Sequence, residues 1–308
     1  MASSELAFIV NPNAGGGSTG EKWPKIAALA RDRLGPFDAY VTARSGDAQT
    51  FAKEAVMKGA STLVCVGGDG TLNEVINGLM AVEGHRRAGT ALGFIPSGTG
   101  CDFIKSVPIS RDPEEAMQRI RQRSLRAIDL GRLVFLNHDG RSVVRYFHNV
   151  TSFGLGGEVD ARVNRTSKRF GPFLSFIWAT LISILVYGKK RVHLKVDDTY
   201  KGEVTVWNVA VANGQYHGGG MWVAPVAAVD DGLLDVTVVG DLSLAGVFRN
   251  LHNLYNGKIL QVKKIFNLKG KRITASSNQT VLLDVDGEQP GTLPLTIEVV
   301  PAALALIV

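Results

Sequence analysis

The sequence predicts an α/β protein in two parts: a domain over residues 1–125 built on a parallel sheet, and a β-rich, sandwich-like domain over residues 126–308. Three observations lead there. Through the first 125 residues, short apolar runs alternate with segments of helical period. Beyond Leu125 the runs crowd together, separated by turn residues. At 308 residues the chain is long enough for two hydrophobic cores, since one core rarely grows much past about 250 residues. The last strand is expected to pack back toward the first domain, with a ligand site in the cleft between the two.

Each element has its own signal. Residues 6–10 form an apolar run that ends at Asn11-Pro12, and Gly15-Gly16-Gly17 precede a helical pattern over 23–34. Residues 38–42 read as a second strand and 47–58 as a helix with Ala48, Phe51, Ala52 and Ala55 on one face. Residues 63–66, 72–80 and 91–95 continue as strand, helix and strand. Apolar strands in that alternation imply a parallel sheet covered on both faces. In the second part, 126–136 and 142–151 flank the turn residues Asn137-His138-Asp139-Gly140 as one hairpin, and 191–196 and 204–212 flank Asp197-Asp198 as another. Residues 234–239, 259–266, 272–275, 281–285 and 295–299 complete a set of short strands that suits a sandwich or a partly open barrel.

Composition narrows the classes. Lys and Arg number 34 against 28 Asp and Glu, a formal charge of +6 that suits anionic partners such as nucleotide phosphates or an acidic membrane surface. The basic residues are scattered with no nucleic-acid motif, so nucleic acid is not expected as a partner. Cys65 and Cys101 stand alone, without metal-ligand spacing, which points to a reducing cytosol. The six histidines show no ligand spacing, and His217, beside a glycine run, is read as structural, with a place lining the cleft as the alternative. Residues 170–188 carry no charge and lie between Lys168-Arg169 and Lys189-Lys190-Arg191. That length admits a membrane span. Gly171-Pro172, Ser175, Thr180 and Ser183 interrupt it, and strands lie on both sides, so a core helix or a lipid-touching helix is expected instead.

The densest chemical signal is Gly67-Gly68-Asp69-Gly70-Thr71. An apolar strand runs into glycines and then into a helix whose Leu72, Val75, Ile76 and Leu79 keep the 3.6-residue period. Such a turn offers free N–H groups and a positive dipole end to phosphate. Thr71 and Glu74 match a capping box at the helix start. Asp69 is an unusual acid for such a turn, because it repels nucleotide unless Mg²⁺ or a hydroxyl proton intervenes. No Walker Gly-Lys-Ser/Thr follows, and the turn succeeds the third strand rather than the first, unlike a Rossmann fingerprint. Asn11-Pro12-Asn13-Ala14-Gly15 and Pro96-Ser97-Gly98-Thr99-Gly100-Cys101-Asp102 leave two further strands at the same carboxyl edge, which makes the first domain a nucleotide-binding one. Farther on, Asp284, Asp286 and Glu288 alternate along a strand and would share one face if it continues that far. Asp230-Asp231-Gly232 by itself reads as a hairpin turn.

These segments together resemble the diacylglycerol kinase catalytic family, which includes sphingosine and ceramide kinases and bacterial relatives. The likeness continues through Asn213-Gly214-Gln215-Tyr216-His217-Gly218-Gly219-Gly220 and Ala224-Pro225, and so covers nearly the whole chain. The resemblance implies an ATP-dependent lipid kinase, peripheral on a membrane and active in phospholipid synthesis, with diacylglycerol as first acceptor. ATP would contact Asn11, Pro12, Asn13, Ala14, Gly15, Thr42, Gly67, Gly68, Asp69, Gly70, Thr71, Leu72, Asn73 and Thr99. It assigns proton acceptance to Glu288, with Asp286 in the same Asp-Gly-Glu segment, or to Asp69 as in sphingosine kinases. Asp231, with the carbonyls of Ala228 and Leu233, resembles a structural Mg²⁺ site. Cys101 stands where the family usually has Asn. A sphingoid-base kinase, an NAD kinase sharing the Gly-Gly-Asp-Gly-Thr turn, and a non-catalytic lipid- or nucleotide-binding regulator remain alternatives. A dimer is compatible with the sequence.

Overall fold

In the computed structural model, which describes residues 5–165 and 172–308, the chain forms two units. Met1–Leu130 with Pro301–Val308 make the first and Gly131–Val300 the second.

The first unit runs β1 (Leu6–Val10), α1 (Ser18–Leu34), β2 (Asp38–Val41), α2 (Asp47–Met57), β3 (Thr62–Gly67), α3 (Asp69–Met80), the single turn α4 (Gly84–Arg87), β4 (Ala91–Pro96) and α5 (Pro113–Gln122). The strands pair in parallel in the order β2-β1-β3-β4. The end of the last strand, β17 (Gly291–Ile307), joins in parallel beside β4 through Ala305 and Leu306. Every residue of β3 and β4 is buried, which is why both strands are apolar without alternation. Phe8, Val64, Ile95, Ile26, Met117 and Ile120 meet in one core cluster, each large side chain contributing about 1.5–3 kcal/mol by leaving water. Asp112 caps α5 by accepting the Glu114 N–H at 3.0 Å, ahead of Pro113 in the first turn.

The capping box expected at Thr71 and Glu74 is not formed. Helix α3 already starts at Asp69, behind Gly68, with no side-chain cap. The Glu74 carboxylate instead accepts from Ser45 Oγ at 3.1 Å and from the N–H groups of Gly46 at 2.9 Å and Ala48 at 3.2 Å. It closes the N-terminus of the neighbouring helix α2, so a local motif serves a tertiary contact.

The second unit is a sandwich. Its elements are β5 (Leu125–Asn137, entering from the first unit), β6 (Ser142–Phe147), β7 (Val150–Gly154), α6 (Leu155–Arg165), α7 (Pro172–Val186), β8 (Lys190–Val196), β9 (Tyr200–Val206), β10 (Asn208–Ala212), the short pair β11 (Tyr216–His217) and β12 (Met221–Trp222), β13 (Leu234–Val239), α8 (Leu244–Asn250), β14 (Ile265–Gly270), β15 (Arg272–Ser276) and β16 (Leu283–Val285). One sheet has the order β14-β13-β10-β7-β16, antiparallel throughout. The other joins β6 to β5, β5 to β17, β17 to β15, β15 to β8 and β8 to β9. Phe153, Val209, Val211, Val236 and Leu283 of the five-stranded sheet share a core with Phe135, Val192, Leu194, Ile273 and Ile297 of the other.

Both expected hairpins form, β5 with β6 and β8 with β9, and the second strand of each ends earlier than expected at the same kind of place. Residues 142–151 are two strands, β6 paired with β5 in one sheet and β7 paired with β10 and β16 in the other. Residues 204–212 likewise divide at Trp207 into β9 and β10. Trp207 N–H donates to Val239 O and its indole Nε1 to Leu242 O, anchoring the crossing. Residues 259–266 are a 3₁₀ turn, Ile259–Gln261, followed by the start of β14. The final strand spans 17 residues rather than five.

Candidate active site

In the first unit the three strand-end loops touch backbone to backbone. Ser97 and Gly98 donate their N–H groups to Gly67 O at 2.7 and 3.1 Å. A Cβ on Gly98 would lie 2.6 Å from Gly68 Cα, and one on Gly15 2.5 Å from Ser97 O. Glycine is therefore required at both positions by space, and at Gly15 also by its φ of +62°. Gly16 and Gly17 continue in the left-handed region, at φ 69° and 96°. Thr19 Oγ1 donates to Ser97 Oγ at 2.7 Å, and Asn11 Nδ2 donates to Thr71 Oγ1 at 2.9 Å. Thr42 stands at the end of β2, its N–H on Val10 O. Asn11, Asn13, Ala14, Gly15, Gly68, Asp69 and Gly70 thus gather at one sheet edge, with Thr99 exposed in the β4 loop. Leu72 and Asn73 differ: both side chains are buried, Leu72 in the core.

Asp69 sits in the first turn of α3, where its Oδ2 accepts the Asp102 N–H at 2.8 Å. Lys105 Nζ bonds Asp102 Oδ1 at 2.7 Å, and Arg111 donates to Gly100 O at 3.0 Å. These two cations border the loop, and the motif reading missed them because neither lies in a glycine segment. Cys101 adopts φ 50°, a conformation that Asn tolerates better than Cys. Burial and the nearby Asp69 charge push its thiol up to about 11, so it stays protonated and packs.

The second unit holds an apolar cavity of about 160 Å³. Its origin is visible in the strand register. Alternate residues of the five-stranded sheet face the sandwich core and are large, whereas Ser152, Ala210 and Thr237, aligned side by side across β7, β10 and β13, face the other way and are small. Helices and turns packed over that row leave the space, walled by Leu155, Val159, Ile184, Val247, Leu251 and Leu254.

One end of the cavity is acidic. Asp284, aligned with Ser152, is buried and accepts from Ser152 Oγ at 3.0 Å and Gly287 N–H at 2.9 Å, with His217 Nε2 at 2.9 Å. Burial opposes its charge, yet His217, a hydrogen bond with Asp160 and the Gly287 N–H hold it below the usual carboxylate range. Asp160 on α6 behaves in the opposite way. Burial, then the Asp284 charge, raise it well above that range. Among the described residues its Oδ2 has no hydrogen-bond partner, and both Asp160 and His217 line the cavity. Asp160 carries no motif in the sequence; the Val/small alternation of residues 208–212 is the available signal for the cavity that it and His217 line.

The alternating-face expectation for Asp284, Asp286 and Glu288 fails, because β16 ends at Val285 and Asp286 turns to φ 48°. Asp286 is buried and accepts the N–H groups of His148 at 3.1 Å, Asn149 at 3.2 Å and Val150 at 3.0 Å, with His148 Nδ1 at 2.8 Å. Although burial opposes it, His148 and those N–H groups hold its pKa down. These bonds tie Asp286 to the backbone where β6 passes into β7. Glu288 folds back opposite Val285 and is 43% exposed, ion-paired to Arg145 at 2.6 Å. Asp231 Oδ1 accepts the Leu233 N–H at 3.1 Å and its Oδ2 is 3.1 Å from Lys269 Nζ. With an ammonium already on that carboxylate, Asp231, Ala228 and Leu233 do not fit a bound divalent ion. Among the described residues no group of three acidic, His or Cys side chains could hold one either.

Helix α7 buries Ala179, Ser183 and Ile184 and exposes Trp178, Leu185 and Val186. The start of the uncharged stretch, Phe170 and Gly171 with Lys168-Arg169, lies outside the described residues. Among the described residues no helix is long and apolar enough to cross a membrane.

Known proteins share both halves of this arrangement. Residues 5–133 match the diacylglycerol kinase catalytic domain, and residues 149–308 match the YegS C-terminal NAD kinase beta sandwich-like domain. The chain belongs to the diacylglycerol kinase-like lipid kinases. Within that family it is 31% identical to a protein of Xanthomonas euvesicatoria pv. vesicatoria named probable lipid kinase YegS-like, over 99% of this chain and 96% of the relative. It is 28% identical to a diacylglycerol kinase of Staphylococcus carnosus, over 93% and 89%. A crystal structure of a Bacillus anthracis protein assigned as a diacylglycerol kinase superposes with a TM-score of 0.79 at 26% identity, covering 100% of this chain and 96% of that one. The fold alone extends to yeast NADH kinase, with a TM-score of 0.52 at 12% identity, covering 98% and 82%. As a lipid kinase of this family the chain is an ATP-dependent phosphotransferase.

Proposed function

We propose that this lipid kinase transfers the γ-phosphoryl group of ATP, taken as its Mg²⁺ complex, to the hydroxyl of a neutral acyl-chain lipid, diacylglycerol first. The observation that carries the acceptor class is the apolar cavity with one acidic end. An acyl chain suits its Leu, Val and Ile walls, and Asp160 and His217 set polar groups at one end of it.

On this reading the nucleotide phosphates lie over the contiguous glycine loops, Asn11 to Gly15, Gly67 to Asn73 and Thr99, with Thr42 alongside. Mg²⁺ on the phosphates neutralises charge as the group transfers. Asp69 at the N-terminus of α3 places that complex, with Lys105 and Arg111 nearby. Glu288 is the proton acceptor, because it alone of Asp284, Asp286 and Glu288 is substantially exposed. Arg145 holds its side chain in place. As the lipid oxygen bonds to the γ-phosphorus and the bond to ADP breaks, the hydroxyl proton passes to Glu288, a step expected to supply about 10²- to 10⁴-fold. Trp178, Leu185 and Val186, exposed on one face of α7 and followed by Lys189-Lys190-Arg191, suit a cytoplasmic enzyme that rests on an anionic lipid surface.

Purified protein incubated with labelled ATP, Mg²⁺ and mixed lipid micelles should yield labelled phospholipid from diacylglycerol. Absence of label in every lipid acceptor ends the proposal, and label in NAD instead would establish the NAD kinase alternative.

A further inference from the structure

We infer that the Lys269 ammonium serves as the structural cation of the turn before β13, where the family resemblance places Mg²⁺. Lys269 lies on β14 directly opposite Asp235 of β13. Its Nζ reaches Asp231 Oδ2 at 3.1 Å, Asp235 Oδ2 at 3.3 Å and Val226 O at 3.3 Å. An ammonium has three N–H donors, and here each has one oxygen to meet, from three separate segments: the loop at Val226, the turn at Asp231 and the first residues of β13. Pinning a loop, a turn and a strand start through oxygen ligands is what a bound divalent ion does in a structural site.

The remaining oxygens are used as well. Asp231 Oδ1 takes the Leu233 N–H, and Asp235 Oδ1 accepts from Asn267 Nδ2 at 2.7 Å. Each carboxylate therefore turns one oxygen to a neutral donor and the other to the lysine. Asp235 is buried, with a side chain 1% exposed, and its charge has an evident counterion in Lys269. Mg²⁺ demands oxygen ligands at about 2.0–2.1 Å in near-octahedral array. It could not share Asp231 Oδ2 with an ammonium already 3.1 Å away, because two cations on one oxygen repel. The lysine is tethered to the strand, so this cation cannot be removed by a chelator.

The test is thermal unfolding of the full chain without nucleotide, in EDTA and then in excess Mg²⁺, for wild type and Lys269→Met, which keeps an apolar stem and removes the charge. Wild type should show the same Tm in both. Lys269→Met should unfold several degrees lower in EDTA and regain part of that loss in Mg²⁺, since two carboxylates and a carbonyl are then open to a metal. Mn²⁺ binding, followed by electron paramagnetic resonance, decides the matter even if that variant does not fold. Wild type should bind no Mn²⁺ that Asp231→Asn abolishes. A Mg²⁺-dependent rise in wild-type Tm, Asp231-dependent Mn²⁺ binding by wild type, or a Lys269→Met protein as stable as wild type and indifferent to Mg²⁺ would each overturn the inference.

Discussion

The two units present chemistry in different currencies of structure. In the first, the candidate site is built from backbone: glycines bring three loops within contact, and a helix starts at one edge of a parallel sheet. In the second it is carried by side chains, a row of small residues under a cavity and a cluster of acids whose properties depend on one another. The lesson is that substitutions in the two units should fail differently. Those in the first should disturb nucleotide binding through geometry, and those in the second should separate turnover, acceptor binding and stability.

The largest effect is expected at Glu288. Glu288→Gln keeps the shape and removes the proposed proton acceptor, so steady-state kinetics should show turnover reduced about 10²- to 10⁴-fold with ATP affinity retained. Wild-type turnover would remove Glu288 from the reaction and leave Asp69 as the acid to test. Next comes Asp286, two residues away and opposite in character. Asp286→Ala strands three backbone N–H groups and His148. Chemical denaturation should register a loss of about 3–5 kcal/mol, the size seen when one partner of a buried ionic network is deleted. Because its folded pKa is depressed, the stability Asp286 contributes is present above the ordinary carboxylate range and is lost as pH falls through the depressed value.

A smaller effect distinguishes the units directly. Gly98→Val should weaken ATP binding without altering lipid affinity, since its side chain strikes Gly68. Calorimetric titration with ATP checks it, and unchanged affinity would mean that the β4 loop does not shape the nucleotide site. The smallest effect concerns Asp160. Its folded pKa is raised, so the folded state is favoured most at low pH and is penalised progressively as pH rises toward that value. Asp160→Asn removes the penalty and keeps a hydrogen-bond donor. Its Tm should exceed wild type at neutral pH, by a few degrees, and the difference should vanish in acid. A Tm gap independent of pH would contradict a buried acid with a raised pKa at this position.

The same contrast explains what could be read from sequence. Gly67 to Thr71, Asn11 to Gly15 and Pro96 to Asp102 are contiguous, and each strand-to-loop passage leaves an uninterrupted trace of apolar residues followed by glycines. The cavity floor has no such trace. Ser152, Ala210 and Thr237 become neighbours only through the register of β7, β10 and β13. The hairpins pair as the sequence predicts, but their second strands extend too far in the sequence pattern for a related reason: at Trp207 and at His148-Asn149 the chain changes sheet while the β-forming character of the sequence continues. Alternation records which residues face inward, not which sheet they belong to. Glu74 shows the converse error, a local cap pattern taken up by a different helix.

The central claim, that the acceptor lipid enters the cavity of the second unit, is tested most directly by filling that cavity. Ala210→Phe projects a ring into the space above the Ser152, Ala210 and Thr237 row. Phosphorylation of diacylglycerol in mixed micelles should fall at least tenfold, while calorimetric ATP binding stays at the wild-type value. Wild-type lipid turnover in a folded Ala210→Phe protein would contradict the account and move the acceptor out of the cavity.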